Sequence, residues 1–526
     1  MHQVISHTMK KKLRIFMLVI LLFVLASLLS VYSYGIFARQ ARGETSYALP
    51  VKPDETVLDR VLSPLWQIHP GNTGMVLLRD NLDAFVMRAV TAREAGRSLD
   101  LQYYIWHDDL TGQLLDMEIL RAADRGVRVR LLLDDMTAHD RSSTMSILDT
   151  HPNIEIRIFN PTRARDTGLK RGVEMLLRAF SINRRMHNKA WIADGRIAIV
   201  GGRNIGDEYF DAASNINFFD IDLLISGPAV AETSAIFDDY WNSPAAIPLN
   251  ALVSIENQKL DLLREKIANN ADKLLAQPYI QHLRNAPSVR GLFNGERQVH
   301  WTSEVHVYAD PAEKAFGQGR DKWLIHHLNA EWQQATHDFM IISPYFVPRD
   351  SGIELFTDMR NRHINIEILT NSLAATDVFL VHGGYAPYRQ PLLEMGAQLY
   401  ELKPTAPQDH SLLGSSGASL HTKAFIIDRK TAFIGSLNFD PRSVIWNTEM
   451  GIIFEEPAIV AELMDEFKRR TSSEYSYALK LENGRLHWID NASTGEPVVW
   501  KHDPQTHWWQ RAITKVVSWL PLESQL

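Results

Sequence analysis

Two α/β units in tandem, each a mostly parallel sheet covered by helices on both faces, are the fold this sequence predicts, behind an N-terminal helix long enough to cross a membrane. Three observations predict it. The stretch HNKAWIADGRIAIVGGRN, His187 to Asn204, returns 234 residues later as HTKAFIIDRKTAFIGSLN, His421 to Asn438. His, Lys, Ala, Ile, Asp, Ala, Gly and Asn match between the two, where chance would match roughly one of the aligned positions. Upstream of each copy, a strand, a helix and a second strand follow in the same order. The third observation is the uncharged run from Ile15 to Phe37.

That run spans 23 residues, and as a helix it reaches about 35 Å, enough for a bilayer core. Lys10, Lys11, Lys12 and Arg14 precede it and Arg39 and Arg42 follow. This bias favours a cytoplasmic N-terminus, a single-pass anchor and the bulk of the chain on the extracytoplasmic side of the membrane. A cleaved signal peptide is the alternative, but the run is longer than a usual h-region and no A-x-A-like site ends it. Met9 is as good a start as Met1.

Residues 1–45 are thus read as cytoplasmic tip and membrane anchor, and 46–247 as the first unit. There LDLQYYIW (Leu99 to Trp106) reads as a strand, Leu114 to Arg125 as a helix and VRVRLLLDD from Val127 as a strand. In the second unit, 301–475, the same order is FMIISPYFV (Phe339 to Val347), a helix around Ile353 to Arg362, and INIEILTNS (Ile364 to Ser372). Residues 248–300 read as a connecting segment with a helical run from Ile255 to Leu275. Residues 476–526 read as a tail ending in an amphipathic helix. Trp509, Ile513, Val516 and Leu520 share one face of it and Arg511, Thr514, Lys515 and Ser518 the other, which suits either a membrane interface or docking on its own domain.

Composition narrows the chemistry. A net charge of -7 over 526 residues lacks the basic footprint usual for a nucleic-acid binder. With no cysteine, disulfides and thiolate-metal sites are excluded. Locally, Arg163, Arg165, Lys170, Arg171, Arg178, Arg184, Arg185 and Lys189 face only Asp166 and Glu174 in the same stretch. Such a patch suits anionic headgroups, although a solvated helix face explains part of it.

Each copy of the motif offers an imidazole, a cation and an amide. His and Lys two apart share a face if the segment is a strand. Asp194 and Asp428 fall at the hairpin turns and read as turn-stabilising residues, while Gly201-Gly202 and Gly435-Ser436 let the chain bend to bring Asn204 and Asn438 beside the histidines. A phosphodiester uses every part. Lys189, Lys423, Asn204 and Asn438 would stabilise the oxygens that gain charge as phosphorus is attacked. One of His187 and His421 would attack and the other would protonate the leaving alkoxide. In-line displacement needs an imidazole on each side, so the two copies must meet at one cleft. Metal binding is the weaker rival, because an adjacent lysine is a poor companion for a cation.

These residues fit H-x-K-x4-D-x6-G-[GS]-x-N written twice, and with that pattern the sequence resembles the phospholipase D superfamily. Phrases such as GGRNIGDEYF and GSLNFDPRSVIWNTEMG look like the bacterial cardiolipin synthases, closest to the C type. The resemblance runs from about Pro64 to the C-terminus. It implies two lobes around a pseudo-twofold axis, a phosphohistidine intermediate, and neither metal nor other cofactor. It also implies an acid after each motif to hold the histidine's second nitrogen. Glu449 matches in the second half, and aligning LLISGPAV with IIFEEPAIV brings Asp220 to that place in the first. By the same likeness His187 is the nucleophile and His421 the acid. The expected reaction is phosphatidyl transfer between phospholipids, phosphatidylglycerol alone or with phosphatidylethanolamine, giving cardiolipin. A phospholipase D-type hydrolase or an anchored nuclease is the alternative enzyme, and an inactive lipid-binding scaffold the alternative of another class.

Overall fold

The long helix stands apart from the rest. In the computed structural model, which describes residues 2–138, 142–165, 168–253, 259–271, 277–285, 289–293, 298–407, 417–491 and 497–519, one helix of 39 residues runs from His2 to Gln40. Its Lys10–Gln40 portion is long and apolar enough to cross a membrane, and Ile15 to Leu25 lie bare along it. Among the described residues, its last turns meet the body of the protein. Tyr34 and Ala38 are buried against Ile247, Arg178 lies 3.3 Å over the Tyr34 ring, and Arg163 4.6 Å over Phe37.

Each half is built on one sheet. Across the first, the strands are His300–Thr302, Thr73–Leu78, Asp222–Ser226, Ile197–Gly201, Ala190–Ala193, Ser98–Tyr103, Arg128–Asp134, Ile154–Phe159 and Ala246–Pro248. Across the second they are Val305–Ala309, Met450–Phe454, Thr431–Gly435, Ala424–Ile427, Asp338–Ile342, Asn365–Asn371, Gln398–Leu402, Ser476–Glu482, Arg485–Asp490 and Val498–Trp500. Without His300–Thr302 in the first and the last two strands in the second, the two orders coincide strand for strand. The duplication therefore includes the whole lobe. The sheets are mixed, however, not mostly parallel. Only three strands at the centre of each run parallel, because each motif folds as a hairpin beside them and hairpins pair antiparallel.

Alternation along the motif hairpins shows where the cores lie. Trp191, Ala193, Ile197 and Ile199 point into the outer core of the first lobe. Ala190, Ile192, Ala198 and Val200 point the other way, into a core shared with Ala424, Ile426, Ile434 and Ile452 of the second lobe. Helices Pro228–Trp241 and Pro457–Thr471 close that shared core through Val230, Phe237, Val460 and Leu463. The lobes are packed as one body.

Two expected boundaries shift. The segment from 248 is not a free connector, since Leu263, Ile267, Tyr279 and Leu292 join the first lobe's core. Its helix is Leu260–Ala271, while 254–258 and 272–276, the remainder of the expected run, lie outside the described residues. The tail expected from 476 begins as part of the second sheet: Ser476–Glu482 pairs with Gln398–Leu402 and turns back at Asn483–Gly484 into Arg485–Asp490. Both turn residues have positive φ, 52° and 73°, the backbone that an Asn-Gly hairpin turn supplies cheaply. The final helix, Trp508–Val517, docks on helix Phe379–Tyr385 through buried Thr514 and Val517, with a Val517 methyl 2.6 Å from where a Cβ on Gly383 would stand. Its Trp509, Ile513 and Val516 remain exposed; Leu520 lies outside the described residues.

Candidate active site

The two motifs meet through short parallel pairings that cross between lobes. Ile216–Phe219 pairs with Gly417–Leu420, so the residues that follow, Asp220 and His421, lie side by side. On the other side Met186 bridges Thr448, which sets His187 beside Glu449. The His187 and His421 amides donate to Thr448 and Phe219 carbonyls at 2.9 and 2.8 Å. His-x-Lys therefore precedes the hairpin strand in each lobe and is not part of it, as the strands start at Ala190 and Ala424. The backbone that would have paired within the sheet is engaged by the opposite lobe.

This pairing crosses the acids. His187 Nδ1 lies 2.8 Å from Glu449 Oε2, and His421 Nδ1 lies 2.6 Å from Asp220 Oδ2. Each acid follows one motif in sequence and serves the histidine of the other. With Nδ1 on a carboxylate, each imidazole carries its proton there and leaves an Nε2 lone pair for chemistry. Lys189 Nζ donates to the His187 carbonyl at 2.6 Å, and Lys423 Nζ to that of His421. All four side chains are buried. Asn204 accepts from the Ile105 amide at 3.2 Å and donates to the Tyr209 hydroxyl at 2.9 Å; Asn438 is buried, and its Oδ1 meets no partner among the described residues.

Burial dominates the electrostatics of the site. Burial, then Lys189 and Lys423, press His187 well below its ordinary basicity. Burial and Lys423 hold His421 at about 4 despite Asp220. Burial also lowers Lys423 to about 8 and Lys189 well below the usual lysine value. The lysine of each lobe also lowers the basicity of the histidine of the other, in keeping with the cross-lobe pairing of rings and acids. The acids diverge. Burial lifts Glu449 to about 7; Asp220 meets the same desolvation but ends at about 2, because His421, Lys423 and Arg203 outweigh it.

The bend residues do more than the sequence implied, and Arg203, Tyr104, Tyr209 and Phe218 join the site without any signal in the motif. Ser436 donates its hydroxyl to Glu449 at 2.5 Å. Gly202, its counterpart, leaves room for the other acid: a Cβ there would stand 2.5 Å from Asp220 Oδ1. Close approach, and not only a bend, is what these glycine positions serve, since Cβ atoms on Gly201 and Gly435 would meet Ile221 O at 2.6 Å and Met450 O at 2.4 Å. Arg203 is fully buried and donates to Asp222, Asn81 and the Asp220 carbonyl. Tyr104 sits edge-on to His187 at 4.9 Å. Tyr209 does the same to His421 at 5.1 Å, while Phe218 stacks on it at 5.3 Å. At the G-[GS] position the sequence implied a bend, and the hydrogen bond from Ser436 to Glu449 is the further role the structure adds.

Asp194 and Asp428 stand at the hairpin turns with φ of 55° and 52°. Their reach is longer than the turn. Asp194 accepts from the amides of Gly96, Arg97 and Ser98, and Asp428 from those of Thr336, His337 and Asp338. Each ties its hairpin to the start of the neighbouring parallel strand. In the basic stretch, Arg165, Arg178 and Arg185 pair with Asp135, Glu174 and Asp134, so only part of that charge faces outward.

Residues 91–241 and 328–471, the two motif-bearing lobes, match the cardiolipin synthase, phospholipase D-like domain. The chain belongs to that family. It is 40% identical over 468 residues to Cardiolipin synthase C of Escherichia coli strain K12, covering 88% of this chain and 98% of that one. It is 31% identical over 490 residues to an uncharacterized protein of Helicobacter pylori, across 90% of this chain. Among solved structures, phosphatidylserine synthase of Haemophilus influenzae superposes with a TM-score of 0.54 at 13% identity, over 84% of this chain and 92% of that one. At that identity the likeness concerns the fold. For this family member, the α/β lobes and the membrane-length helix agree with what the sequence implied.

Proposed function

We propose that this chain is a metal-independent phosphatidyltransferase that makes cardiolipin from phosphatidylglycerol and a second phospholipid through a phosphatidyl-histidine intermediate. One observation carries the reading: two buried imidazoles where the lobes meet, each with Nδ1 on a carboxylate of the opposite lobe. Similarity to Cardiolipin synthase C of Escherichia coli supports the choice of product.

In this reading a phosphodiester enters between Lys189, Lys423, Asn204 and Asn438, and its negative charge restores basicity to the lysines and imidazoles that burial has pressed down. His187 Nε2 attacks phosphorus, forming a P–N bond as the P–O bond to the leaving alcohol breaks. His421, made imidazolium by the incoming anion and by ionised Asp220, gives that alkoxide its proton. It then takes a proton from the glycerol hydroxyl of phosphatidylglycerol, which attacks phosphorus and breaks the P–N bond. Asp220, despite burial held low by His421 and Lys423, suits the histidine that must hold charge, whereas Glu449, raised by burial, suits one that begins neutral. One phosphodiester replaces another, so no nucleotide is consumed, which accords with a catalytic region on the periplasmic side of the inner membrane. Exclusion of water from the cleft separates transfer from hydrolysis.

The test is purified protein with labelled phosphatidylglycerol, alone and with phosphatidylethanolamine, in the presence of a chelator, and separately with DNA. Cardiolipin formation in chelator is expected. Phosphatidic acid alone would make the enzyme a hydrolase, cleaved DNA a nuclease, and no turnover of any of them would leave a scaffold. On rapid quenching, His421→Ala should retain label on the protein and His187→Ala should not; the reverse pattern would exchange their roles.

A further inference from the structure

An ordinary surface helix turns its apolar face to the core. Gly168–Leu177 does the opposite. Glu174, on its polar side, is held by the amides of Arg163 and Ala164 and by Arg178. Leu169, Val173 and Leu176, spaced to share one face, are 81%, 49% and 61% exposed, and no residue of this helix is buried. A water-facing stripe of this kind calls for an apolar cover.

Its position says what the cover is. The helix packs on the N-terminal membrane-length helix, and Arg163 and Arg178, flanking it, lie over Phe37 and Tyr34 near the end of that helix's apolar run. Arg163 also reaches Ser33 Oγ. Below that level the exposed apolar stretch from Ile15 to Tyr32 measures about 27 Å at the α-helical rise, close to a bilayer's hydrocarbon thickness. Ser33 to Phe37 is therefore the headgroup level, and the Gly168–Leu177 helix lies at it with Lys170 beside the stripe.

It is also tied to the site through the chain. The segment carrying it leaves the sheet at the carboxyl end of Ile154–Phe159, the same end of the sheet at which Tyr104 stands edge-on to His187 and Asp134 accepts from the Met186 amide, and it reaches His187 ten residues after Leu177. We propose that the Gly168–Leu177 helix is inserted in the headgroup layer of the leaflet on the catalytic side, pressing the mouth of the cleft against the bilayer so that lipids reach the histidines without leaving the membrane. The ligand of this surface is the bilayer itself. The part concerning access rests on the lipid-transfer reading; the insertion does not.

The chain's lack of cysteine makes the test clean. Leu176→Cys, and fully exposed Asp261→Cys on helix Leu260–Ala271 as control, would each carry one environment-sensitive fluorophore on the full-length protein in phosphatidylglycerol-phosphatidylethanolamine vesicles. Spin-labelled lipids should quench the label at 176 at least threefold more than that at 261. Equal quenching would overturn the insertion even if the enzyme makes cardiolipin, and quenching would stand even if it does not. If the lipid reading holds, the triple variant Leu169→Ser, Val173→Ser, Leu176→Ser should lose about tenfold of its activity on vesicles and keep its activity on dispersed short-chain phosphatidylglycerol. Equal effects on both substrates would overturn the role in access.

Discussion

The two histidines share a plan and differ in what stands behind them. His421 rests on a short, ionised aspartate that a glycine makes room for, between Tyr209 and Phe218. His187 rests on a longer glutamate with a raised pKa, to which Ser436 adds a hydrogen bond, with Tyr104 at its edge. On the proposed mechanism, the difference is how a duplicated scaffold divides a reaction, by adjusting the carboxylate behind each ring while leaving the rings alike.

Replacing the histidines tests that division most severely. His187→Ala is expected to lower turnover by about 10^5 to 10^6, the scale of losing a nucleophile. His421→Ala is expected to cost roughly 10^2 to 10^4, the scale of an acid-base group. Equal losses in steady-state assays, with no trapped intermediate in either variant, would erase the comparison.

Exchanging the residues behind the acids is the next sharpest probe. Gly202→Ser puts a Cβ against Asp220 and should reduce kcat by about 10^2-fold, approaching the loss of His421's function. Ser436→Gly removes one hydrogen bond to a carboxylate and should cost about tenfold. A Gly202→Ser enzyme as active as the Ser436→Gly enzyme would mean that the asymmetry has no catalytic consequence.

The pH profile should be steepest on its alkaline side. Lys423, pressed down to about 8, is charged below that pH and loses its proton above it, so kcat/KM, which reports the free enzyme, should fall as pH rises through about 8. In kcat the limb should move upward, since bound phosphodiester favours the charged lysine. A flat kcat/KM from pH 7 to 10 would remove Lys423 from the essential groups.

The smallest effects on activity are expected at the turns. Asp194→Ala strands three amide donors in a buried setting and should cost about 3 kcal/mol of stability, whereas Asp428→Ala, at a partly exposed site, should cost about 1 kcal/mol. Denaturant melts would measure both, with kcat of the folded enzyme near normal. A stable but inactive Asp194→Ala protein would contradict the structural role.

Much of this was legible in the chain. The strands found from hydrophobic runs, such as Ser98–Tyr103 and Asn365–Asn371, lie within a few residues of where alternation and turn residues put them, and the two histidines of the repeated motif each stand against a carboxylate where the lobes meet. The crossing of Asp220 and Glu449 was not legible, because identical halves carry no mark of which acid crosses to which ring; only the pairing of Phe219 with Leu420 and of Met186 with Thr448 decides it. The sheet's extension past 475 was legible and overlooked, since Asn483–Gly484 between two alternating runs is a strong hairpin signal. The inverted helix at Gly168–Leu177 was hidden for the opposite reason. Its pattern is that of any amphipathic helix, and the sequence does not say which side faces in.

The wiring of acids to rings also constrains how such a chain can be divided or inherited. A half-length chain on its own would hold an imidazole and a carboxylate that never touch, while two copies facing each other would complete both pairs at once. The fused protein is thus a permanently married couple of lobes, and damage to either should be read first at its partner's ring.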